Sequence, residues 1–532
     1  MTADRRSAFA PLGVTIFRWL WIAGVVSNIG GWMQTVGAQW FLVERNASPV
    51  VIALVSTASA APVLLFGIPA GVLGERANRR LLLIVVQTVQ ALIAVALAVV
   101  TAAGAMTPVL LLGLTFALGV AAAVQLPAYQ AIVPEVVPRH LIADAASLSS
   151  IGVNVARAIG PALAGVVIAA LGIPFVFAIN AASFAGFLLV LILWRGYAPP
   201  KVDREPFVAA TRAGLRYVVH SGVVRRIYLQ LLLFIVPANA LWALLPVLAD
   251  GRLGLGSNGY GLLLAALGVG SVGGAFVIPR ARAALGVSRL ITVTSAVYGL
   301  GLAATALSRS LPLTLAVLVV VGLAWIGVIA TLNGAVQSFL PGWVRTRGLS
   351  VYQLVLFGGT ALGSAGTGWL GGVYGITATM AGAGVLVVLG AALLPLRPLL
   401  STADKSREPA PLPLTDLPAL VPLDDAAPTL DPAGATLILV RYDVAEPDRP
   451  EFVGLMRRVE QSRRRTGART WDLYDDREQP GYLVEAFTVG SWQEHLSQHH
   501  TRTTGYDAEI VDAARKLSRT TPTVEHLVVR LS

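Results

Sequence analysis

Cysteine is absent from this chain of 532 residues, so the sequence excludes a disulfide framework and a thiolate metal or redox site. Charged residues are also scarce, at 13% of the chain against about 25% in soluble globular domains. Because 55% of the residues are hydrophobic, the composition predicts an integral membrane protein. The net charge of +11 does not indicate a nucleic-acid partner, since much of the excess lies in loops beside apolar runs.

Long apolar runs fill most of the chain, and a helix needs about 20 such residues to cross a bilayer. Glycine and proline interrupt many of the runs, as membrane helices tolerate. The sequence therefore predicts about twelve transmembrane helices. The runs lie near 17–43, 49–74, 80–103, 107–131, 146–171, 173–194, 227–249, 258–280, 287–308, 312–338, 348–371 and 376–398.

Basic residues are concentrated in every second loop between these runs. The loops in between carry little beyond Arg45, Arg252 and Arg309. Because cytoplasmic loops carry the excess of Lys and Arg, this asymmetry predicts that the basic loops and both termini are cytoplasmic. The basic set comprises Arg76, Arg79 and Arg80; Arg139; the arginines of 195–226; Arg280, Arg282 and Arg289; and Arg345 with Arg347.

Small residues recur at a fixed offset of 203 positions, which relates Gly67 to Gly270 and Gly160 to Gly363. The same offset relates Gly172-Ile173 to Gly375-Ile376. Matching glycines in corresponding apolar runs indicate an internal repeat of two six-helix halves with the same orientation. The predicted fold is an all-α membrane protein of twelve transmembrane helices in two parallel repeats.

The decapeptide GVLGERANRR at 71–80 joins the second and third apolar runs. It resembles the signature loop of the major facilitator superfamily, Gly-x-Leu-Ala-Asp-Arg-x-Gly-Arg-Arg, which lies between transmembrane helices 2 and 3. Glu75, Gly74 and Asn78 replace Asp, Ala and Gly, and the other fixed positions match. The matching residues are Gly71, Leu73, Arg76, Arg79 and Arg80.

The resemblance implies that this loop is part of a cytoplasmic gate. Glu75 would face the beginning of helix 11, where the helix dipole and nearby arginines favour a carboxylate. The alternative is that the arginines only set the topology. The predicted gate comprises Gly71, Gly74, Glu75, Arg76, Arg79, Arg80, Arg345 and Arg347.

The fifth apolar run contains ARAIGPALAG at 156–165. It resembles the antiporter motif of the same superfamily, Gly-x-x-x-Gly-Pro-x-x-Gly-Gly. Gly160, Pro161 and Gly165 match, while Ala156 and Ala164 stand in for glycines. The pattern accompanies export in that superfamily, so the resemblance predicts an exporter and an antiporter. Ordinary packing of small residues is the alternative reading.

Two further stretches resemble one branch of the superfamily, the transmembrane secretion effectors, which includes enterobactin-type siderophore exporters. They are SNIGGWMQ at 27–34 and the run at 134–148 followed by Asn154, Arg157 and Gly160-Pro161. The resemblance covers about residues 12–400. It implies alternating access of a central cavity to the two sides of the membrane, with a small molecule as substrate.

Arg157 lies inside the fifth run, where a guanidinium costs about 2.5–3.5 kcal/mol on insertion scales. It should therefore face a cavity or a partner. It either binds an anionic group of the substrate, pairs with Glu135 or Asp144, or extends to the interface. The predicted substrate path consists of Asn28, Gln34, Gln125, Asn154, Arg157, Asn239 and Asn333.

Asp and Glu are missing from the interior of every apolar run. Proton-coupled exporters commonly use an intramembrane carboxylate, so proton coupling is left open, with a boundary carboxylate as the remaining carrier. The phosphate-binding motif Gly-x-x-x-x-Gly-Lys-Ser/Thr is absent too, which argues against direct drive by ATP. We predict no cofactor and no metal site.

The composition changes after Leu400. Residues 401–433 are rich in Pro, Asp and Ala and predict an extended linker. Residues 434–532 alternate strand-like and helix-like segments and predict a small α+β, ferredoxin-like domain. The stretch SWQEHLSQHHTR at 491–502 resembles dimeric antibiotic-biosynthesis-monooxygenase-like domains. Pocket residues would come from Trp471, Trp492, His495, His499, His500 and Arg502.

The predicted organisation is a six-helix half at 12–195, a cytoplasmic linker with an amphipathic helix at 196–226, a second half at 227–400, the Pro-rich linker at 401–433 and the α+β domain at 434–532. Arginines of the amphipathic helix should face anionic headgroups.

The predicted function is secondary active export of a drug-like compound, secondary metabolite or siderophore across the bacterial inner (cytoplasmic) membrane. The partners are then a small molecule and the lipid bilayer, and the chain is not an enzyme. The alternatives are an importer of the same fold and a transporter fused to a cofactor-independent monooxygenase-like domain. The α+β domain could instead dimerise, dock or regulate.

Overall fold

The computed structural model describes residues 9–194, 197, 207–396, 398–399, 410 and 434–529, without the side chains of 68, 71–76, 139, 143, 207–213 and 346. The chain forms two compact units. The bundle unit comprises Met1–Val202, Leu229–Leu332 and Gln353–Pro398. The tail unit comprises Asp203–Tyr228, Asn333–Tyr352 and Leu399–Ser532. The predicted linker at 401–433 lies, apart from residue 410, outside the described residues.

Twelve α-helices precede the C-terminal domain, and side-chain caps mark the beginning of some of them. The Asn78 side chain accepts a hydrogen bond from the backbone N–H of Leu81, and Thr107 caps the next helix through Leu110 in the same way. The helices are α1 (Thr15–Glu44), α2 (Pro49–Arg76), α3 (Arg79–Ala102), α4 (Pro108–Val136), α5 (Ile142–Leu171), α6 (Ile173–Leu193), α7 (Phe207–His220), α8 (Gly222–Gly251), α9 (Ser257–Leu307), α10 (Leu311–Phe339), α11 (Arg345–Tyr374) and α12 (Ile376–Leu393).

Nine of the described helices are long and apolar enough to cross a membrane. α9 holds two spans, because Gly286 has φ 74° and ψ 166° and interrupts its helical backbone. α1 and α11, of 30 residues each, complete the twelve spans of the predicted fold, which is confirmed. The sequence predicted a loop between 280 and 287, whereas the helix continues there except at this one glycine.

The two halves repeat the same chain reversal. Gly172 between α5 and α6 has φ 91°, and Gly375 between α11 and α12 has φ 82°. A positive φ is readily adopted only by glycine, so each helix ends and its successor begins across one residue. The two glycines are related by the offset of the internal repeat.

Exposed apolar residues recur at helical spacing along α3, as at Leu81, Val85, Leu92 and Val99. In water such a stripe would be an aggregation hazard. It suits the hydrocarbon core of a bilayer, where the backbone groups of a helix are already paired.

The C-terminal domain is a four-stranded antiparallel sheet covered by helices. The sheet order is β2-β3-β1-β4, and the chain order of strands and helices is that of the predicted α+β unit. Its core joins the inner sheet face, with Ile438 and Phe487, to Phe452, Met456 and Ile510 of the helices. The elements are β1 (Thr436–Asp443), α13 (Arg449–Thr466), β2 (Thr470–Asp475), β3 (Tyr482–Val489), α14 (Trp492–Ser497), α15 (Gly505–Arg515) and β4 (Thr523–Val528).

Candidate functional site

The antiporter-like segment of α5 packs directly against the backbone of α9. A Cβ added at Gly261 would lie 2.9 Å from both the Cα of Gly165 and the carbonyl oxygen of Pro161. A Cβ at Gly165 would lie 2.8 Å from the carbonyl oxygen of Ser257. Since backbone atoms cannot move aside like a side chain, glycine is needed at both positions. The motif therefore joins the first half of the bundle to the second.

Gln39 of α1 makes a second contact between the halves. Its Nε2 donates to the carbonyl oxygen of Trp242 in α8 at 3.0 Å, and its Oε1 accepts from the hydroxyl of Tyr260 in α9 at 2.7 Å. Trp40 stacks on the Tyr260 ring with 5.9 Å between centroids. The predicted path did not include Gln39 or Tyr260. The signal for Gln39 was a polar side chain inside an apolar run, since such residues either line a cavity or bridge helices.

A third contact joins α2 to α11. The Thr57 hydroxyl donates to the carbonyl oxygen of Ala361 at 3.2 Å, and a Cβ added at Gly368 would collide with the Cβ of Ala53. Like Gln39 and Gly165, these residues of α2 lie toward the end of the bundle opposite the loop at 71–80. The two halves are thus packed closely at that end.

Aromatic rings and one guanidinium form a continuous chain across the centre of the bundle. The guanidinium carbon of Arg157, midway along α5, lies 5.5 Å from the centroid of the Trp32 ring. Trp32 lies 5.5 Å from Trp242, and Trp242 lies 5.7 Å from Trp325. We call Arg157, Trp32, Trp242 and Trp325 the aromatic site. Of its members, the predicted path contained only Arg157.

The other predicted path residues differ in their hydrogen-bond partners, which lie within the same helix for some and on a neighbouring helix for others. Asn28, Asn154 and Asn239 each donate to a carbonyl oxygen four residues earlier in their own helix. Gln34 is buried and accepts a hydrogen bond from Asn180 of α6, which ties two helices of the same half together.

Gln125 is half-buried in α4, and Asn333 accepts a hydrogen bond from Gln337 within α10. Glu135, which the sequence offered as a partner for Arg157, is instead paired with Arg79. The pairing of Glu135 with Arg157 was therefore wrong. Contact of the asparagine and glutamine residues with substrate stays a prediction.

Two of the four gate arginines with described side chains, Arg79 and Arg80, connect α3 to its neighbours. Arg79 forms an ion pair with Glu135 at the end of α4, and Glu135 also accepts from the Tyr197 hydroxyl at 2.8 Å. Arg80 donates to the carbonyl oxygens of Leu191 and Ile192 at 2.9 and 3.1 Å, which caps the end of α6. These contacts lie within the first half.

The remaining gate residues fall into two groups. The side chains of Glu75 and Arg76 lie outside the described residues, and only the helical backbone is described at Gly71 and Gly74. Arg345 donates to the carbonyl oxygen of Leu340 at 3.3 Å, and a Cβ added at Gly214 of α7 would lie 2.7 Å from the Cβ of Arg347. Their gating role stays a prediction.

In the tail unit the α+β domain contacts α7 and the turn between α10 and α11. Nη2 of Arg216 lies 2.6 Å from Oε1 of Glu494, which also accepts from Arg502 at 2.9 Å. The guanidinium of Arg502 lies 5.2 Å from the Trp343 ring centroid, and Trp343 meets Tyr217 edge to face at 5.7 Å. We call these five residues the seam. Burial opposes ionisation of Glu494, but hydrogen bonds and charge from Arg216 and Arg502 lower its pKa overall.

Arg216 was expected to face lipid headgroups, and that expectation was wrong. A carboxylate at hydrogen-bonding distance offers the guanidinium a stronger partner than a hydrated surface does. The helix itself was predicted at the right place, because its apolar residues follow a 3.6-residue period.

Histidines form a compact cluster with Trp492 in the same domain. The ring of His495 lies 4.6 Å from His499 and 4.9 Å from His526, centroid to centroid. Burial first, then the neighbouring His499 and His526, lower the pKa of His495 to about 2. Burial and the charge of Arg463 lower the pKa of His499 to about 4. These imidazoles are neutral near pH 7, and His495 is only 1% exposed.

Of the other predicted pocket residues, Trp471 donates to Glu485 at 2.9 Å, Arg502 belongs to the seam and His500 is exposed. No cluster of three or more His, Cys, Asp or Glu in the described part of the chain is arranged to hold a metal ion.

The chain matches the transmembrane secretion effector family over residues 6–531. It is 25% identical over 279 residues to the staphyloferrin A transporter of Staphylococcus aureus (strain NCTC 8325 / PS 47), covering 52% of this chain and 69% of that protein. It is 24% identical over 423 residues to the multidrug efflux pump Tap of Mycolicibacterium fortuitum, covering 77% of this chain and 100% of that protein.

Two solved structures share the fold of the helical part. One is a bacterial homologue of the human lysosomal transporter Spinster, with a TM-score of 0.57, 16% identity and coverage of 72% of this chain and 96% of that chain. The other is the nucleoside transporter NupG, with a TM-score of 0.58, 13% identity and coverage of 72% of this chain and 98% of that chain.

Proposed function

Because the chain belongs to the transmembrane secretion effector family of the major facilitator superfamily, we propose that it exports a small molecule across the bacterial cytoplasmic membrane by alternating access. The substrate would be a drug-like compound, a secondary metabolite or a siderophore. Similarity to an efflux pump over that protein's whole length supports export of such compounds, and similarity to a staphyloferrin A transporter supports the siderophore class.

The observation that carries this proposal is the backbone contact between Gly165 and Gly261. It places the antiporter-like motif at a contact between the halves, where it can seal one end of the bundle. Gln39 and Thr57 join the halves at the same end, and we propose that the end that bears the loop at 71–80 admits the substrate. An exporter must accept its cargo from the cytoplasm, so we assign that loop and both termini to the cytoplasm, in line with the charge asymmetry.

Opening and closing would change contacts at the two ends in turn. Arg79 and Arg80 hold α3, α4 and α6 together, so the first half can move as one body. The predicted gate at Glu75, Arg76, Arg345 and Arg347 would then close on the cytoplasmic side. Glu135, which links Arg79 to Tyr197, would serve as the boundary carboxylate if protons drive transport, and it would take up its proton when the ion pair with Arg79 opens.

We assign the α+β domain a role in dimerisation or regulation and not in catalysis. His495, at the centre of the histidine cluster, is only 1% exposed and cannot meet a substrate from solution. The outer sheet face, by contrast, exposes apolar side chains such as Leu527 and Tyr474, which are 50% and 55% exposed. A second copy of the domain could cover them.

The test is metabolite analysis of a strain lacking the gene. Export predicts that one compound, or one chemical group of compounds, rises inside the deletion strain and disappears from its medium. Expression of the wild-type chain should reverse both changes, and collapse of the proton gradient should abolish the reversal if protons drive transport. The variant Gly165→Leu should fail to complement, while Gly186→Leu, at a glycine with open space, should succeed.

The opposite distribution, with the compound depleted from cells and left in the medium, would establish an importer. Oxygen consumption by the purified full-length protein with an aromatic substrate would instead favour the fused monooxygenase.

A further inference from the structure

Buried hydrogen-bond donors without acceptors converge at the aromatic site. Nε of Arg157, Nε1 of Trp242 and Nε1 of Trp325 are all buried, and none has a hydrogen-bond partner within the described part of the chain. An indole N–H and a guanidinium can only donate. Buried donors are normally paired, because an unpaired one has lost its water without replacement. The site therefore lacks acceptors.

The antiporter-like motif builds one wall of this site. A Cβ added at Gly160 would lie 2.7 Å from the Cβ of Trp32, so only glycine lets the tryptophan approach α5 this closely. Arg157 lies on α5 one turn before Gly160, and its guanidinium lies over the Trp32 ring. On its other side it meets Trp242 of the second half. Both halves contribute to the site, as a substrate site in an alternating-access transporter requires.

We propose that the aromatic site binds an organic anion, with a carboxylate or similar oxyanion carried on a planar apolar body. This inference rests on the proposed export function and names its substrate class. The oxyanion would accept from Arg157 and the indole N–H groups as charge-assisted hydrogen bonds. The planar body would lie against the tryptophan faces. A cationic compound is disfavoured, because the apolar runs contain no interior Asp or Glu to offset Arg157.

Equilibrium dialysis of the full-length protein in lipid nanodiscs tests this with 2-naphthoate and its neutral isostere 2-naphthamide. The wild type should bind the acid at least about tenfold more tightly than the amide. Arg157→Gln should remove that preference, and Arg157→Lys should keep part of it and so show that the site still folds. Trp325→Phe keeps an aromatic ring and removes the N–H donor. It should weaken binding of 2-naphthoate several-fold and leave binding of 2-naphthamide unchanged. Arg252→Gln, at a helix end bonded to Ser308, is the matched control.

Equal binding of acid and amide, no binding of either, or an unchanged preference in Arg157→Gln would overturn the proposal. The metabolite analysis separates this failure from failure of the export proposal. A strain that retains compounds while the purified protein shows no acid preference refutes the substrate class alone. A preference for the acid without any retained compound refutes export alone.

A second inference rests on the seam in the tail unit. Glu494 bonds Arg216 on α7 and Arg502 within the α+β domain, and Arg502 covers Trp343 in the turn between α10 and α11. Tyr217, only 4% exposed, closes the chain of contacts by packing on Trp343. One carboxylate thus connects the linker helix, the turn that precedes α11 and the C-terminal domain.

We infer that the α+β domain is a clasp that restrains this turn. α11 begins at Arg345, two residues after Trp343, so a turn held by the seam limits the movement of the start of α11. A helix that must shift during alternating access is slowed by such a contact. Release of the seam should therefore speed transport.

The variant Glu494→Gln tests the clasp in the full-length protein. Hydrogen exchange at α7 and at residues 340–344 should rise by about tenfold, and the export rate should rise at least about twofold. Glu460→Gln is the matched control, since Glu460 pairs with Arg464 within α13 and makes no recorded bond to a seam residue among the described residues. Unchanged exchange in Glu494→Gln, or faster exchange with an unchanged export rate, would overturn the inference.

Discussion

At the residue scale, the α+β domain concentrates buried polar groups around one carboxylate. Glu485 is fully buried, and it accepts hydrogen bonds from Arg463 at 3.0 Å, Tyr442 at 3.1 Å and Trp471 at 2.9 Å. A buried ion pair adds little net stability, because both partners lose their water. Removing one partner is different, since it leaves the other charge buried and uncompensated.

We therefore expect Glu485→Gln to lower the free energy of unfolding of the α+β domain by about 3 kcal/mol or more. Glu525→Gln should cost less than about 1 kcal/mol, because Glu525 is exposed and its partner Arg441 also pairs with Asp476. The free-energy cost of each variant is measured from the denaturant dependence of amide exchange in β1 and β3 of the full-length protein. Equal costs for the two variants would contradict this account of the buried carboxylate.

The histidine cluster makes the domain sensitive to acid. His495 and His499 have pKa values of about 2 and about 4 in the folded domain and about 6.5 in an unfolded chain. Between pH 6.5 and 4 the unfolded state therefore binds more protons, and stability falls as the pH is lowered. The slope should approach about 1.4 kcal/mol per pH unit for each histidine.

Amide exchange of β1 and β3, corrected for its intrinsic pH dependence, should reveal this loss between pH 7.5 and 5. His495→Phe should flatten the slope, while His500→Phe, at an exposed position, should not. A stability that stays constant over this range would show that the cluster takes up protons without cost.

Residue types were easier to predict than their partners. The sequence selected Arg79, Arg157 and Trp471 because of a motif, an apolar run and a tail segment. Their contacts with Glu135, Trp32 and Glu485 join residues far apart in sequence, so they depend on how the helices and strands pack. Spacing along the chain carries no information about such pairs.

At the element scale, close glycine contacts decide which helices touch. Gly261 of α9 meets the backbone of α5, whereas Gly273, three turns further along α9, has open space around it. A larger side chain at position 261 must push α5 and α9 apart, whereas a larger side chain at position 273 displaces no neighbour.

We expect Gly261→Leu to open the end of the bundle opposite the loop at 71–80, and Gly273→Leu to leave it closed. The absence of cysteine allows spin labels to be placed at Ser48→Cys and Gly251→Cys in an otherwise unreactive chain. The distance between the labels should lengthen in Gly261→Leu, as measured by double electron–electron resonance. An unchanged distance would mean that the α5–α9 contact does not hold this end together.

Helix positions followed well from the sequence, because about 20 apolar residues in a row have few alternatives to a membrane span. The strands and helices of the α+β domain were also predicted in the right order from their periodicity. The extension of the first part of α9 past Arg280 to the break at Gly286 was not predicted, since Arg280 and Arg282 gave the segment the composition of a loop. Long polar side chains at a membrane surface are compatible with a continuing helix.

At the scale of the whole molecule, the two units differ in which residues they expose and which they bury. The bundle unit exposes apolar stripes and carries its contacts between halves on glycine, glutamine and threonine. The tail unit buries charge in pairs and exposes a mixed surface, as a water-soluble domain does. The exposed apolar stripes should mark the part of the bundle unit that lies in the bilayer, and the charge asymmetry of the loops predicts that the C-terminus is cytoplasmic.

This arrangement predicts the reactivity of single cysteines in intact cells. Glu478→Cys lies on an exposed loop of the α+β domain, and Ser48→Cys lies in the exposed turn between α1 and α2. A membrane-impermeant maleimide should label Ser48→Cys in intact cells and Glu478→Cys only after the membrane is permeabilised. If both are labelled without permeabilisation, the α+β domain is outside and the seam cannot act on a cytoplasmic turn. If Ser48→Cys alone needs permeabilisation, the bundle is inverted, and the end closed by Gln39 and Gly165 would face the cytoplasm.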